Sequence, residues 1–247
     1  MNKSLLNKTV VITGGSSGIG RSLAEGLLEE GARVGIISRR APQHWEKPMP
    51  DTWNASENWI EADFETTENV QKNLKKWLST ITHIDVLIHC AVTYGSKSRH
   101  SFEETELTEW ENLFAVNTKA PFIITKEVLP FMGKKSNGSI IGFVSDVVFI
   151  PGAGRIGYAA SKSALHSLLI SLAEEKKGTN ISVTEILPKE QVRTPGIQKR
   201  RSTDHDFGNY ASPDVFVKPI VSIINTTDDK FNGACVIVDK EGNFFKK

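Results

Sequence analysis

The chain of 247 residues predicts a single α/β domain: a doubly wound parallel sheet of about seven strands flanked by helices. Three observations predict it. Short β-branched runs alternate with stretches whose apolar residues recur at helical spacing. Those runs are apolar at consecutive positions, as in strands covered on both faces, and not at every second position. A glycine-rich turn, TGGSSGIG at 13–20, stands between the first run and the first amphipathic stretch. Sheets of this kind bind ligands at the carboxyl ends of their strands.

TVVIT (9–13) reads as the first buried strand. The helix after it runs through IGRSLAEGLLEE, with Ile19, Leu23 and Leu27 on one face and Gly31 placed to end it. RVGIIS (33–38) and WIEAD (59–63) are the next strands. Between them, residues 41–58 carry three prolines and two tryptophans, which disfavours a regular helix and predicts an irregular excursion. ENVQKNLKKWLSTI is a polar-faced helix and DVLIHCAV (85–92) a fourth strand. A long helix through TELTEWENLFAVNTKAPFIITKEVLPFM should bend at or break near Pro121. SIIGFVS (139–145), a helix from about Gly157 to Lys177, SVTEIL (182–187) and a last strand ACVIVD (234–239) complete the set. No repeat or interdomain linker divides the chain, so residues 1–247 are expected to form one domain.

The bulk chemistry excludes several classes. A net charge of +1 gives no electrostatic case for nucleic acid or an anionic membrane. No run approaches a membrane span, and MNKSLLNKTVVITGG is too short an apolar stretch for a signal peptide. Cys90 and Cys235 sit in apolar runs, read as buried reduced thiols in a cytoplasmic protein. No His/Cys cluster at ligand spacing suggests a metal.

The turn at 13–20 carries the first chemistry. Gly14, Gly18 and Gly20 permit a tight turn and bring backbone N–H groups to a pyrophosphate at the helix N-terminus. Thr13, Ser16, Ser17 and Ile19 flank that position. The spacing is T-G-x-x-x-G-x-G rather than G-x-G-x-x-G. The second strand ends in Ser38-Arg39-Arg40, where an acidic residue would accept from an adenosine ribose and repel a 2′-phosphate. A guanidinium instead pairs with phosphate and stacks on adenine. NADP(H) is therefore favoured, with Arg39 the primary contact and Arg40 the secondary one, and NAD(H) is the alternative.

The second chemistry lies in SDVVFIPGAGRIGYAASK (145–162). Tyr158 and Lys162 are four apart and share a helix face. A cation near a phenol stabilises phenolate and lowers its pKa, which would suit Tyr158 to proton transfer. Ser145 lies thirteen residues before it.

Together the TGGSSGIG turn and the Ser145/Tyr158/Lys162 set resemble the single-domain short-chain dehydrogenase/reductase family, over nearly the whole chain. The resemblance implies a Rossmann-like fold and a hydride transfer between nicotinamide and a small-molecule carbonyl or secondary alcohol. It implies that Ser145 polarises the substrate carbonyl, that Tyr158 is the general acid/base, and that Lys162 tunes Tyr158 and bonds the nicotinamide ribose. Asn117, in FAVNTKAPF, would complete a catalytic tetrad by holding a water. Asp63 and Phe64 in EADFE would border the adenine, Ala91 would follow the fourth strand, and Pro188 and Thr194 in ILPKEQVRTP would flank the nicotinamide. Ketone or aldehyde reduction is the leading reading. Alcohol oxidation and a catalytically silent cofactor-binding scaffold are the alternatives.

The chain departs from the family pattern in several places. His89-Cys90-Ala91-Val92 replaces an N-N-A-G segment, narrowing the cavity beside the adenosine ribose and leaving His89 as an internal histidine bonded to backbone. Lys189 stands where glycine is usual, with one extra residue before Val192, and the closing strand is followed by Asp239-Lys240-Glu241-Gly242. Residues 189–215 are expected to form a mobile substrate loop. Its Lys199-Arg200-Arg201 cluster, followed by Asp204, His205 and Asp206, either steers an anionic substrate or is a solvated face. Leu165, Leu168, Leu169 and Leu172 exceed one core-facing stripe, which suits a homodimer or homotetramer.

Overall fold

The TVVIT run forms β1 (Thr9–Thr13), buried at every position. Its side chains divide by strand period: Val10 and Ile12 enter one apolar layer and Val11 the other. This is the physical content of a continuous apolar run in a sheet covered on both faces. The computed structural model describes residues 3–42, 53–66, 68–96, 99–133, 137–226 and 228–247.

The remaining strands are β2 (Arg33–Ser38), β3 (Trp59–Glu61), β4 (Val86–His89), β5 (Gly138–Phe143), β6 (Ile181–Pro188), β7 (Cys235–Val238) and β8 (Phe244–Lys246). All lie in one sheet of order β3-β2-β1-β4-β5-β6-β7-β8. Pairing is parallel from β3 to β7, and only β7 with β8 is antiparallel. The fold is Rossmann-like. The chain moves outward from β1 to β3 and then returns to place β4 beside β1. That reversal opens a crevice at the carboxyl ends of β1 and β4.

One layer holds α1 (Gly18–Glu29) and α7 (Val217–Ile224), with Leu23, Leu27, Ile220 and Ile223 inward. The other holds α3 (Glu68–Leu78), α5 (Ala120–Val128) and α6 (Ile156–Glu175), with Leu74, Ile124, Leu165 and Leu169 inward. Gly31, at φ +91°, turns the chain after α1.

Two expectations change, at β8 and at the end of β4. β8 makes eight strands; it returns through a turn at Asp239–Asn243 in which Gly242 has φ +80°. β4 ends at His89, so Cys90-Ala91-Val92 becomes loop at the crevice. The long helix is interrupted by a π-helical turn, Ala115–Lys119, between α4 (Leu107–Phe114) and α5. Pro121 offers no N–H to the Asn117 carbonyl four residues earlier, so a regular α-helix cannot close there. The excursion at 41–58 lies mostly outside the described residues. Its described end forms a single turn, α2 (Ala55–Asn58), and Trp53 Nε1 donates to the Val34 carbonyl at 3.1 Å.

Candidate active site

Two adjoining cavities open along the carboxyl ends of the strands. The first, about 430 Å³, is lined by Gly14, Ser16, Ser17, Gly18, Ile19 and Gly20 at one end. Ser38, Arg39, Arg40, Asp63 and Phe64 border the other, with Ala91 between. The second, about 340 Å³, is lined by Ser145, Tyr158, Lys162 and Pro188. Ile19, Cys90, Val92, Tyr94, Thr194 and Arg200 line both cavities, so the two are continuous.

The glycine turn is shaped by close packing. Gly14 sits at φ +71°, and a Cβ there would lie 2.8 Å from the Ala91 Cα. Gly18 has φ +57° and would press a side chain onto Thr194. Ser17, at the N-cap of α1, makes no capping bond, and the first turn holds no acid. The N–H groups there are thus left for an anion, and the cradle fits a dinucleotide pyrophosphate. Thr13 does not line the cavity. Its hydroxyl accepts from the amides of Cys90 and Ala91 at 3.2 and 3.1 Å, tying β1 to the loop after β4.

At the far end the Ser38 hydroxyl donates to the Arg40 carbonyl at 2.7 Å, fixing the turn that presents both arginines. Arg39 Nη1 lies 3.8 Å from Asp63 Oδ2 and 3.4 Å from Glu65 Oε1. Its side chain is exposed, and ion pairs in that setting are worth about 0–1 kcal/mol, weak enough for a phosphate to displace.

Tyr158 and Lys162 lie one turn apart on α6, both buried. Ser145, at the end of the segment after β5, hydrogen-bonds the Tyr158 phenol and donates to Asp146 Oδ1 at 2.9 Å. Burial, reinforced by Tyr94 and Asp146, pushes the phenol above its ordinary range despite the Ser145 bond and the Arg155 charge. This corrects the expectation of a lowered value. The Lys162 Nζ hydrogen-bonds the Phe143 carbonyl at 2.7 Å and not the phenol. Burial also lowers Lys162 to about 8, against the opposing pull of Cys90 and Glu185.

Asn117 is fully buried and lines neither cavity. Its side chain accepts from the Thr93 amide and donates to the Thr93 carbonyl, both at 2.9 Å, and to Ser161 Oγ at 3.0 Å. Ser161 in turn donates to the Tyr158 carbonyl at 2.9 Å. The side-chain amide therefore holds the loop after β4 against α6. His89 also departs from expectation: its Nε2 pairs with the Thr125 hydroxyl at 2.9 Å, not with backbone. Burial, with Lys162 nearby, depresses its pKa to about 3.

The 189–215 loop is held over the second cavity. Arg200 Nη1 donates to the Gly95 carbonyl at 2.9 Å, its Nη2 to Ser96, and its guanidinium lies 5.7 Å from the Tyr94 ring centre. The Tyr94 ring packs against Tyr158 with centres 5.4 Å apart and planes tilted by 36°. Arg201 bonds Tyr210 and Gln191. Of the cluster read as solvated or steering, these two are therefore structural fasteners. Sequence reasoning missed Tyr94, Arg155 and the His166–Glu185 pair. Tyr94 follows the carboxyl end of β4 and could have been found from that position; the others depend on tertiary proximity.

Comparison with known proteins identifies the family. The family model for short chain dehydrogenase matches residues 8–205. An uncharacterised oxidoreductase of Staphylococcus saprophyticus is 32% identical over 206 residues, covering 83% of this chain and 84% of its own. The 2-(S)-hydroxypropyl-CoM dehydrogenase 3 of Xanthobacter autotrophicus is 25% identical, covering 97% and 98%. A structure assigned as a short chain dehydrogenase of Shigella flexneri, complexed with NADP, superposes with a TM-score of 0.82 at 23% identity, covering 98% and 100%. Fold and site thus define an oxidoreductase acting on alcohol or carbonyl groups. The chain belongs to the short chain dehydrogenase family.

Proposed function

We propose that the protein is an NADP(H)-dependent reductase of a small-molecule ketone or aldehyde, with Tyr158 as general acid. The observation that carries it is the hydrogen bond between Ser145 and the Tyr158 phenol at the wall of a cavity continuous with the glycine-turn cleft; a phenol is protonated at neutral pH, the state that donates in reduction. Alcohol oxidation would need the phenolate.

The pyrophosphate would rest on the turn at Gly14–Gly20 with Ser16 and Ser17, and the adenosine between Arg39, Arg40, Asp63 and Phe64. When bound, the dinucleotide supplies the hydride and is itself oxidised. Ser145 donates a hydrogen bond to the substrate oxygen. As the carbonyl carbon gains hydride and the C=O π bond breaks, Tyr158 passes its proton to that oxygen, leaving an alcohol. Lys162 holds positive charge close to Tyr158 and near the nicotinamide ribose. A water held by Asn117 returns a proton toward Lys162. Pro188 and Thr194 border the nicotinamide end. Arg39 and Arg40, with no acid at the end of β2, support NADP(H) over NAD(H).

Leu168 and Leu172 on α6, partly buried at the edge of the core, support self-association as a homodimer or homotetramer, and we read the protein as cytoplasmic. No helix among the described residues is long and apolar enough to cross a membrane. Fluorescence titration with NADPH and NADH tests the cofactor assignment; tighter NADH binding overturns it.

A further inference from the structure

The cavity beside Tyr158 is unevenly charged. Among the described residues, six cationic side chains line it against three carboxylates. Most of the cations are already engaged. Lys189 lies 4.0 Å from Glu190, Arg200 and Arg201 fasten the loop, and Lys162 bonds the Phe143 carbonyl. Arg99 reaches the Ala153 carbonyl at 3.5 Å.

Arg155 differs. It lines the cavity three residues before Tyr158, at the N-cap of α6. Its Nε is shielded from solvent and has no hydrogen-bond partner. No carboxylate among the described residues lies within ion-pair distance of it. A guanidinium has five N–H donors in a planar fork, and a buried donor left unpaired is destabilising. The first turn of α6 carries no acidic side chain to answer it. The two terminal nitrogens of the fork are not shielded and have no hydrogen-bond partner among the described residues, so they are the pair that an oxyanion in the cavity can meet by charge-assisted, two-pronged bonding.

We propose that Arg155 anchors an anionic substituent of the substrate, so that this site takes a carbonyl compound bearing a carboxylate, sulfonate or phosphate group. The proposal rests on the oxidoreductase reading of the same cavity. Held by Arg155 at one end, the substrate presents its carbonyl to Ser145 and Tyr158 at the other, and the cationic lining concentrates such anions at the cavity mouth. The anion gains charge-assisted bonds that a neutral analogue cannot make.

The test compares 4-oxopentanoate with its methyl ester by ligand-observed NMR, which detects binding in the millimolar range, on wild type, Arg155→Gln and Arg155→Lys. The acid should bind wild type about tenfold or more tightly than the ester, as one charged hydrogen-bonding contact allows. Arg155→Gln should bring that ratio close to one, and Arg155→Lys should restore part of it. A ratio near one in wild type, an unchanged ratio in Arg155→Gln, or no binding of either compound overturns the anchor. NADPH-dependent turnover of the ester by wild type and Tyr158→Phe separates the two readings. Ester turnover that needs Tyr158, without preference for the acid, removes the anchor and keeps the reductase. Preference for the acid in binding, with neither compound reduced, keeps the anchor and removes the reductase.

Discussion

The Lys162 ammonium donates a 2.7 Å hydrogen bond to the carbonyl of Phe143. The bond joins α6 to the end of β5 and draws the charge into the sheet, where burial lowers Lys162 to about 8. Glu185, on the neighbouring β6 and bridged by His166 Nδ1 at 2.8 Å, opposes that shift.

A pH dependence follows from this contact. Lys162 is cationic below about pH 8 and neutral above it, so kcat/KM for carbonyl reduction should fall as pH rises through that value. Glu185→Gln removes a carboxylate that favours the ammonium, and the falling limb should move to lower pH. Steady-state profiles of both proteins check this; a limb that stays in place or moves to higher pH counts against it.

His89 gives a second dependence, on stability. Its folded pKa of about 3 lies below the ordinary 6.5, so the buried neutral ring contributes stability fully above 6.5. That contribution is lost as pH falls toward 3, at about 1.4 kcal/mol per pH unit. Urea unfolding from pH 7 to pH 4 should show a shallower loss in His89→Asn than in wild type. Parallel curves would remove His89 as the cause.

Arg39→Gln should weaken NADPH binding by about 10- to 100-fold, the worth of a charge-assisted phosphate contact, and leave NADH binding unchanged. Fluorescence titration reads both. An equal loss for the two cofactors would mean that Arg39 serves the cavity wall and not a 2′-phosphate.

Asn117→Ala strands the Thr93 amide and carbonyl, both now paired with the Asn117 side chain. The expected cost is about 2–3 kcal/mol, a fall in Tm of roughly 4–12 °C for a chain of this size. Calorimetry measures it. An unchanged Tm would show that these bonds do not hold the loop after β4.

The sheet was legible because strands buried on both faces leave unbroken apolar runs; β2 begins and ends where RVGIIS does. β8 was not, since FFK sits among lysines and its pairing is set by the turn at Asp239–Asn243. The glycine turn, Ser145, Tyr158 and Lys162 were legible from type and spacing and do border two continuous cavities. The sign of the Tyr158 pKa was not. Spacing placed a cation nearby but carried no information on how deeply the phenol is buried or on Tyr94 packed against it. Arg155 was passed over for the same reason: an arginine that lacks a partner is visible only once its surroundings are assembled.

The most direct measurement is the rate of NADPH oxidation with a carbonyl substrate by wild type and Tyr158→Phe, alongside NADPH affinity for each. The phenyl ring keeps the packing against Tyr94 and removes only the proton donor. Loss of general acid catalysis predicts a fall in kcat of about 10²- to 10⁴-fold with cofactor affinity retained. Undiminished turnover in Tyr158→Phe would contradict the account.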